Sequence, residues 1–435
     1  MAAHSSGVPE NVPFRTLPRG GPTTIVAAVL VVLGVATFFL VPRGGEDPGR
    51  IWRAFQFNWL FWASTAMGMV MLAVALHLTN ARWAWSIRRF ALAGVAFLPV
   101  AWLLFIPMFW GGKDFYFHHW IGVHGDPVID AKAAWLNVDG MFIRDMVALT
   151  LLFGLAFRFA WLALRVDVFG ARGDAGQQGW YDRLTGGFRG VPEEAARSVS
   201  GMNRTGVFLS LGYAILWSII GIDLAMTMMP HWFSTMFPVA FFIAGFHAGM
   251  AATAILVVLF RKRIGIERFI TPTQFHDLGK LIFAFSVFWM YLNWSQYVVI
   301  WYGLLPHEQE WFVRRFNPPF TTMAQLVPLL IFVFPFLALL AAWVKKIPAY
   351  LALVAGVILV GNWIERFMIT TPSVYEGSTL PFGLPEVGIA LGFMGLFLAC
   401  YVWFLRTFPM LPSPAFMAAQ DPATIEVPVG AAVTH

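Results

Sequence analysis

Ten stretches of this chain stay apolar for about 20 residues each, enough for a helix rising 1.5 Å per residue to cross a ~30 Å hydrocarbon core. They are Thr23–Val41, Phe55–Thr79, Phe90–Phe109, Met141–Leu164, Thr205–Met228, Phe233–Phe260, Leu278–Tyr302, Met323–Val344, Ile347–Ile369 and Pro385–Leu405. Lipid offers no hydrogen bonds, so each span has to satisfy its backbone internally, as a helix does. The expectation is an all-α integral membrane protein with ten transmembrane helices. An N-terminal tail (1–22) precedes the membrane domain (23–406), and a Pro-rich C-terminal tail (407–435) that reads as irregular follows it. A signal peptide is the rival reading of the first span, but the apolar run is too long and no A-x-A site follows.

Composition narrows the chemistry. The 435 residues are 59% hydrophobic and 12% charged. One cysteine, Cys400, leaves no means to form an internal disulfide, a Cys-ligated zinc or iron–sulfur site, or a C-x-x-C-H haem attachment. Only His247 lies deep in a span, so paired axial haem ligands are lacking; neither a metal nor a covalently bound cofactor is expected. The net charge of +6 comes from residues near span ends and reads as topology, with no nucleic-acid partner. An N-terminus in the cytoplasm puts nineteen Lys and Arg on that side against nine on the other, which predicts both termini inside.

Ionisable groups within spans are costly and rank first as functional candidates. Toward the outer side lie Arg144 and Asp145, Asp223 with His231 beyond it, Glu365 beside Arg366, and Glu386. Toward the cytoplasm lies the turn His276, Asp277, Lys280. His247, Asn293 and Gln296 fall between. Each has a plainer reading. Arg144–Asp145 and Glu365–Arg366 suit interfacial anchors or interhelical pairs, Glu386 suits a helix cap, and His247 between Gly245 and Gly249 suits a hydrogen bond between close helices. Asp223, flanked by Ile219, Ile220, Ile222 and Leu224, either pairs with a cation on another helix or handles a proton. Ser286, Asn293, Gln296 and Tyr297 share a helix face, predicted to continue a hydrated path from the His276 turn.

Four segments carry a family resemblance: 82–107 (RWAWSIRRFALAGVAFLPVAWLLFIP), 217–237 (WSIIGIDLAMTMMPHWFSTMF), 276–306 (HDLGKLIFAFSVFWMYLNWSQYVVIWYGLLP) and 361–373 (GNWIERFMITTPS). The chain resembles the second NrfD-like membrane subunit (ActF type) of bacterial alternative complex III, a quinol:electron-acceptor oxidoreductase, over about residues 23–405. The resemblance implies two four-helix bundles, from spans two to five and six to nine, flanked by the first and last helices. It implies the bacterial inner membrane and, as partners, a larger NrfD-like quinol-binding sister, an iron–sulfur subunit, multihaem cytochrome c subunits, small membrane subunits and a terminal oxidase. Quinone is the one small-molecule ligand it brings in. The implied role is a proton path or conformational coupling; on that basis Asp223, His231, Asp145 and Glu365, with Arg144 beside them, are expected to serve the outer side and His276, Asp277 and Lys280 the cytoplasmic entrance, with His247, Asn293 and Gln296 between. A stand-alone proton-coupled transporter and a structural scaffold are the competing readings.

Overall fold

The computed structural model of the protein describes residues 8–9, 11–41, 47–170, 178–304 and 306–421. Among these, nine helices are long and apolar enough to cross a membrane: α1 (Pro22–Leu40), α2 (Arg50–Leu78), α3 (Arg88–Tyr116), α4 (Val138–Phe169), α5 (Val191–Leu224), α6 (Met236–Ile264), α9 (Thr321–Ala338), α10 (Pro348–Thr370) and α11 (Leu384–Thr407). α7 (Pro272–Tyr302) has 31 residues, about 46 Å at 1.5 Å each, but lies outside that apolar group. Its polar stripe and its Trp and Tyr residues lower its hydropathy. Each predicted span falls on a helix of the structure, so the all-helical membrane character read from the sequence holds.

Three differences stand out. The segment between α7 and α9, expected as a loop, contains a helix, α8 (Pro306–Phe316). α9 ends at Ala338 rather than Val344 and carries a π-turn, Leu329–Val333, between Pro328 and Pro335. Each proline removes one N–H from the ladder, and the wider turn absorbs the mismatch. The C-terminal segment, expected to be irregular, forms a short helix, α12 (Pro414–Gln420), and is tied down as far as Asp421.

α2 is the central strut: 89% of its apolar window is buried, against 11% for α1. Glycine permits its closest crossing. A Cβ on Gly68 would meet the Gly245 carbonyl oxygen of α6 at 2.1 Å, so the two backbones touch there. α1 is held at the periphery in the same manner, its Gly34 against Gly392 of α11.

Polar contacts align the helix ends. At one end, Arg89 pairs with Asp167, Arg165 with Glu194 at 2.9 Å, and Gln274 Nε2 donates to Ser86 Oγ at 2.9 Å. Arg88 donates to Gln420 and Arg82 to Asp421, so α12 closes this end. At the opposite end, Arg50 forms a two-pronged pair with Glu386 at 2.8 Å. Glu386 also accepts from Gly383 N at the start of α11, so it is both a cap and an interhelical partner.

Candidate functional site

A cavity of about 430 Å³ sits toward the opposite end, among α6, α7, α8, α9 and α10. Its walls are mainly aromatic: Phe241, Trp289, Tyr297, Trp311 and Phe312. Into them project Glu365, Arg366 and Arg315, together with Asn293 and Gln296. The local sequence explains these placements. On α7, buried Ser286, Trp289, Leu292 and Gln296 recur at three- and four-residue intervals and form one inward face. The α9 break brings Val327 and Pro328 to the cavity wall. α8 is short and amphipathic; its buried residues are Trp311 and Arg315, while Glu310 and Arg314 pair on its outer side at 2.9 Å. Trp311 stacks on Trp232 with ring centroids 4.0 Å apart, fastening α8 over the α5–α6 turn.

Glu365 is buried. Its Oε1 accepts from Trp289 Nε1 at 2.7 Å, and its Oε2 has no hydrogen-bond partner. Arg366 donates to the Phe241 carbonyl at 3.0 Å and lies over that ring, 4.2 Å from its centroid. Arg315 donates to the Ile369 carbonyl at 3.1 Å and to Ser373 Oγ at 2.7 Å. Burial, and then neighbouring Arg314, pull the Arg315 guanidinium well below its usual value. The cavity thus presents a half-satisfied carboxyl and two fixed cations to an aromatic slot. That combination can hold a flat ring bearing oxygen substituents and exchange a proton with it.

A second cluster lies where the start of α4 meets the end of α5. Asp223, fully buried, accepts from Arg144 Nε at 2.7 Å and from Trp135 Nε1 at 2.8 Å. Arg144 also lies over the Trp135 ring at 3.9 Å. Of the two alternatives open for Asp223, the interhelical pair with a cation is the one formed. Asp145, also fully buried, interacts with Asp223, but neither of its oxygens receives a donor. His231 does not reach Asp223; its Nε2 lies 2.9 Å from Asp126 Oδ2. The backbone N–H groups of Ile129 and Val128, together with His231, hold the Asp126 carboxyl below its usual value.

The remaining candidates separate. His247 is buried and contacts Ser286 Oγ through Nε2 at 3.1 Å, a link between α6 and α7. The His276 turn is half-exposed: Lys280 bonds Asp277 at 2.7 Å and His276 lies 3.7 Å from Asp277. The cavity lining on α7 begins at Trp289, so the structure groups Asn293 and Gln296 with Glu365 and not with His276, Asp277 and Lys280. The predicted continuity along α7 fails geometrically. His276 and Lys280 lie on a different side of the helix from buried Ser286 and Gln296.

Sequence reasoning did not single out Arg315, Trp289 or Trp311. The signal for Trp311 and Arg315 was the amphipathic period of W-F-V-R-R at 311–315, within a segment read as a loop. It also passed over the proximity of His118, His119 and Glu376, whose ligand-bearing atoms all lie within 4.8 Å of one another. A scan of protein-family models and a search of curated proteins each gave no match to the chain.

Proposed function

We propose that this chain is an integral membrane subunit of a quinol:electron-acceptor oxidoreductase of the alternative complex III type. In this reading all ten helices span the bacterial inner membrane, with both termini cytoplasmic, and α2–α5 and α6–α10 form two bundles flanked by α1 and α11. The observation that carries the functional reading is the aromatic cavity with Glu365, Arg366 and Arg315 inside it. A quinol ring would enter between Trp289 and the α8 aromatics. Its oxidation releases two protons and two electrons. Glu365 Oε2 is positioned to take one proton, because Trp289 already occupies the other oxygen, and the second proton passes to bulk water. The electrons pass to a metal centre on a partner subunit.

Asp145 and Asp223 supply a separate outer proton site in the same reading. Two carboxyls packed together beside one arginine are most stable sharing a single proton. Arg144 and Trp135 already engage Asp223, so the proton resides on Asp145. The His276 turn then belongs to the cytoplasmic surface and is no longer part of a path to the cavity.

Replacing Glu365 by Gln retains an acceptor for Trp289 and removes the base. Quinol oxidation by the purified complex should fall by about 10²-fold or more, the usual worth of a positioned general base. Unchanged turnover would remove Glu365 from the mechanism. One observation favours a second reading, a proton-coupled transporter: the broken helix α9 lines the cavity, as discontinuous helices do in transporters.

A further inference from the structure

We propose that His118, His119 and Glu376 form a binding site for a divalent cation of the zinc class, joining the loop after α3 to the loop after α10. The three side chains come from segments far apart in sequence, yet one ligand atom of each lies within 4.8 Å of the other two. Two imidazoles and one carboxylate are a donor set that zinc accepts, with a fourth position left to water.

The histidines are arranged as ligands rather than as solvated surface groups. His118 Nδ1 lies 3.2 Å from the Phe115 carbonyl. A carbonyl only accepts, so that nitrogen carries the proton and Nε2 keeps its lone pair. His119 Nδ1 is buried without any partner. Metal-bound histidines commonly have one nitrogen fixed by a carbonyl and the other presented to the ion. The two rings lie 4.0 Å apart, centroid to centroid. Arg314, which lines the same shallow pocket as Glu376, is engaged by Glu310 at 2.9 Å.

Bonds of about 2.0–2.2 Å put tetrahedral ligands roughly 3.4 Å apart. Closing from 4.8 Å requires about 1.4 Å of movement, within reach of a rotation of the exposed Glu376 side chain. Arg314 sits on α8, whose inner side lines the central cavity, so a cation here would clamp the two loops beside that helix. The inference needs no assumption about quinol chemistry.

The test uses the full chain without an oligohistidine tag, purified in detergent with whatever subunits accompany it and stripped with a chelator. Zn²⁺ is titrated by calorimetry, and bound metal is counted by mass spectrometry after desalting. Wild type should retain one more equivalent than the triple variant H118A/H119A/E376Q. Either H119A or E376Q alone should weaken that equivalent by 10-fold or more, while H231A should leave it intact. Saturating Zn²⁺ should also raise the thermal midpoint of wild type and not of the triple variant, which reports the clamp directly. Equal stoichiometry and affinity in wild type and a triple variant that elutes as a folded protein would overturn the proposal. If the triple variant does not fold, E376Q, at an exposed position, decides the matter by the same criterion.

Discussion

Asp145 and Asp223 are both fully buried carboxyls at the same end of neighbouring helices, yet replacing them should have very different costs. Asp223→Ala removes the acceptor for Arg144 at 2.7 Å and for Trp135 at 2.8 Å. A hydrogen bond to a charged group is worth about 1.5–3 kcal/mol net, so losing two sets an upper range of roughly 3–6 kcal/mol. Arg144 keeps 23% of its side chain accessible and can turn to water, which lowers the expectation to about 2–4 kcal/mol. Asp145→Asn should cost almost nothing. An amide has the shape of a protonated carboxyl and can donate to Asp223 just as that acid would. Thermal midpoints by tryptophan fluorescence in one detergent give the comparison. At no more than about 2–4 °C per kcal/mol, Asp223→Ala should melt several degrees below wild type and Asp145→Asn within about one degree. In reconstituted vesicles, Asp145→Asn should lower the proton-to-electron ratio without slowing quinol oxidation. If Asp145→Asn is the more destabilised, both carboxyls are ionised and structural, and the shared-proton argument is wrong.

Three further outcomes follow from other parts of the molecule. Gly68→Ala should cost about 1–3 kcal/mol or more through overpacking of α2 on α6 and reduce membrane yield; Gly356→Ala, whose Cβ meets nothing within 4 Å, should not. Comparable yields would refute the close-approach reading. The Asp126 carboxyl is held below its usual value, so its contribution to loop order is complete above the unfolded pKa near 3.8 and is lost as pH falls through the lower folded value. Amide exchange at Val128 and Ile129, corrected for intrinsic rate, should therefore accelerate below about pH 4, and Asp126→Asn should abolish that dependence. Trp289→Phe frees the second oxygen of Glu365 and should impair turnover less than Glu365→Gln; an equal or larger loss would make Trp289 the more important group.

The helices were legible because lipid imposes one strong rule, a run of about 20 apolar residues per span. Side-chain periodicity carried that reading as far as the buried face of α7. It failed where a site depends on pairing across the fold. Asp223 lacks a basic residue within a turn of its own helix, but Arg144 arrives from α4 and Trp135 from the preceding loop. Glu365 was visible as a costly charge, whereas Arg315 was hidden in an 11-residue helix too short and too polar to register. The His276 turn is the reverse case: its local pattern was clear, but the α7 face it occupies turns away from the cavity. His118, His119 and Glu376 share neither period nor proximity in sequence, and only the folded chain brings them together.

The central claim is that the chain belongs to a quinol-oxidising complex. Its most direct test is mild-detergent purification of the full chain from its native membrane, with haem absorbance and quinol-dependent reduction of an acceptor followed across the elution profile. The account predicts that haem and quinol oxidation co-elute with the chain and that Glu365→Gln keeps the haem while losing the activity. A chain that elutes alone, without haem or quinol oxidation, would contradict it.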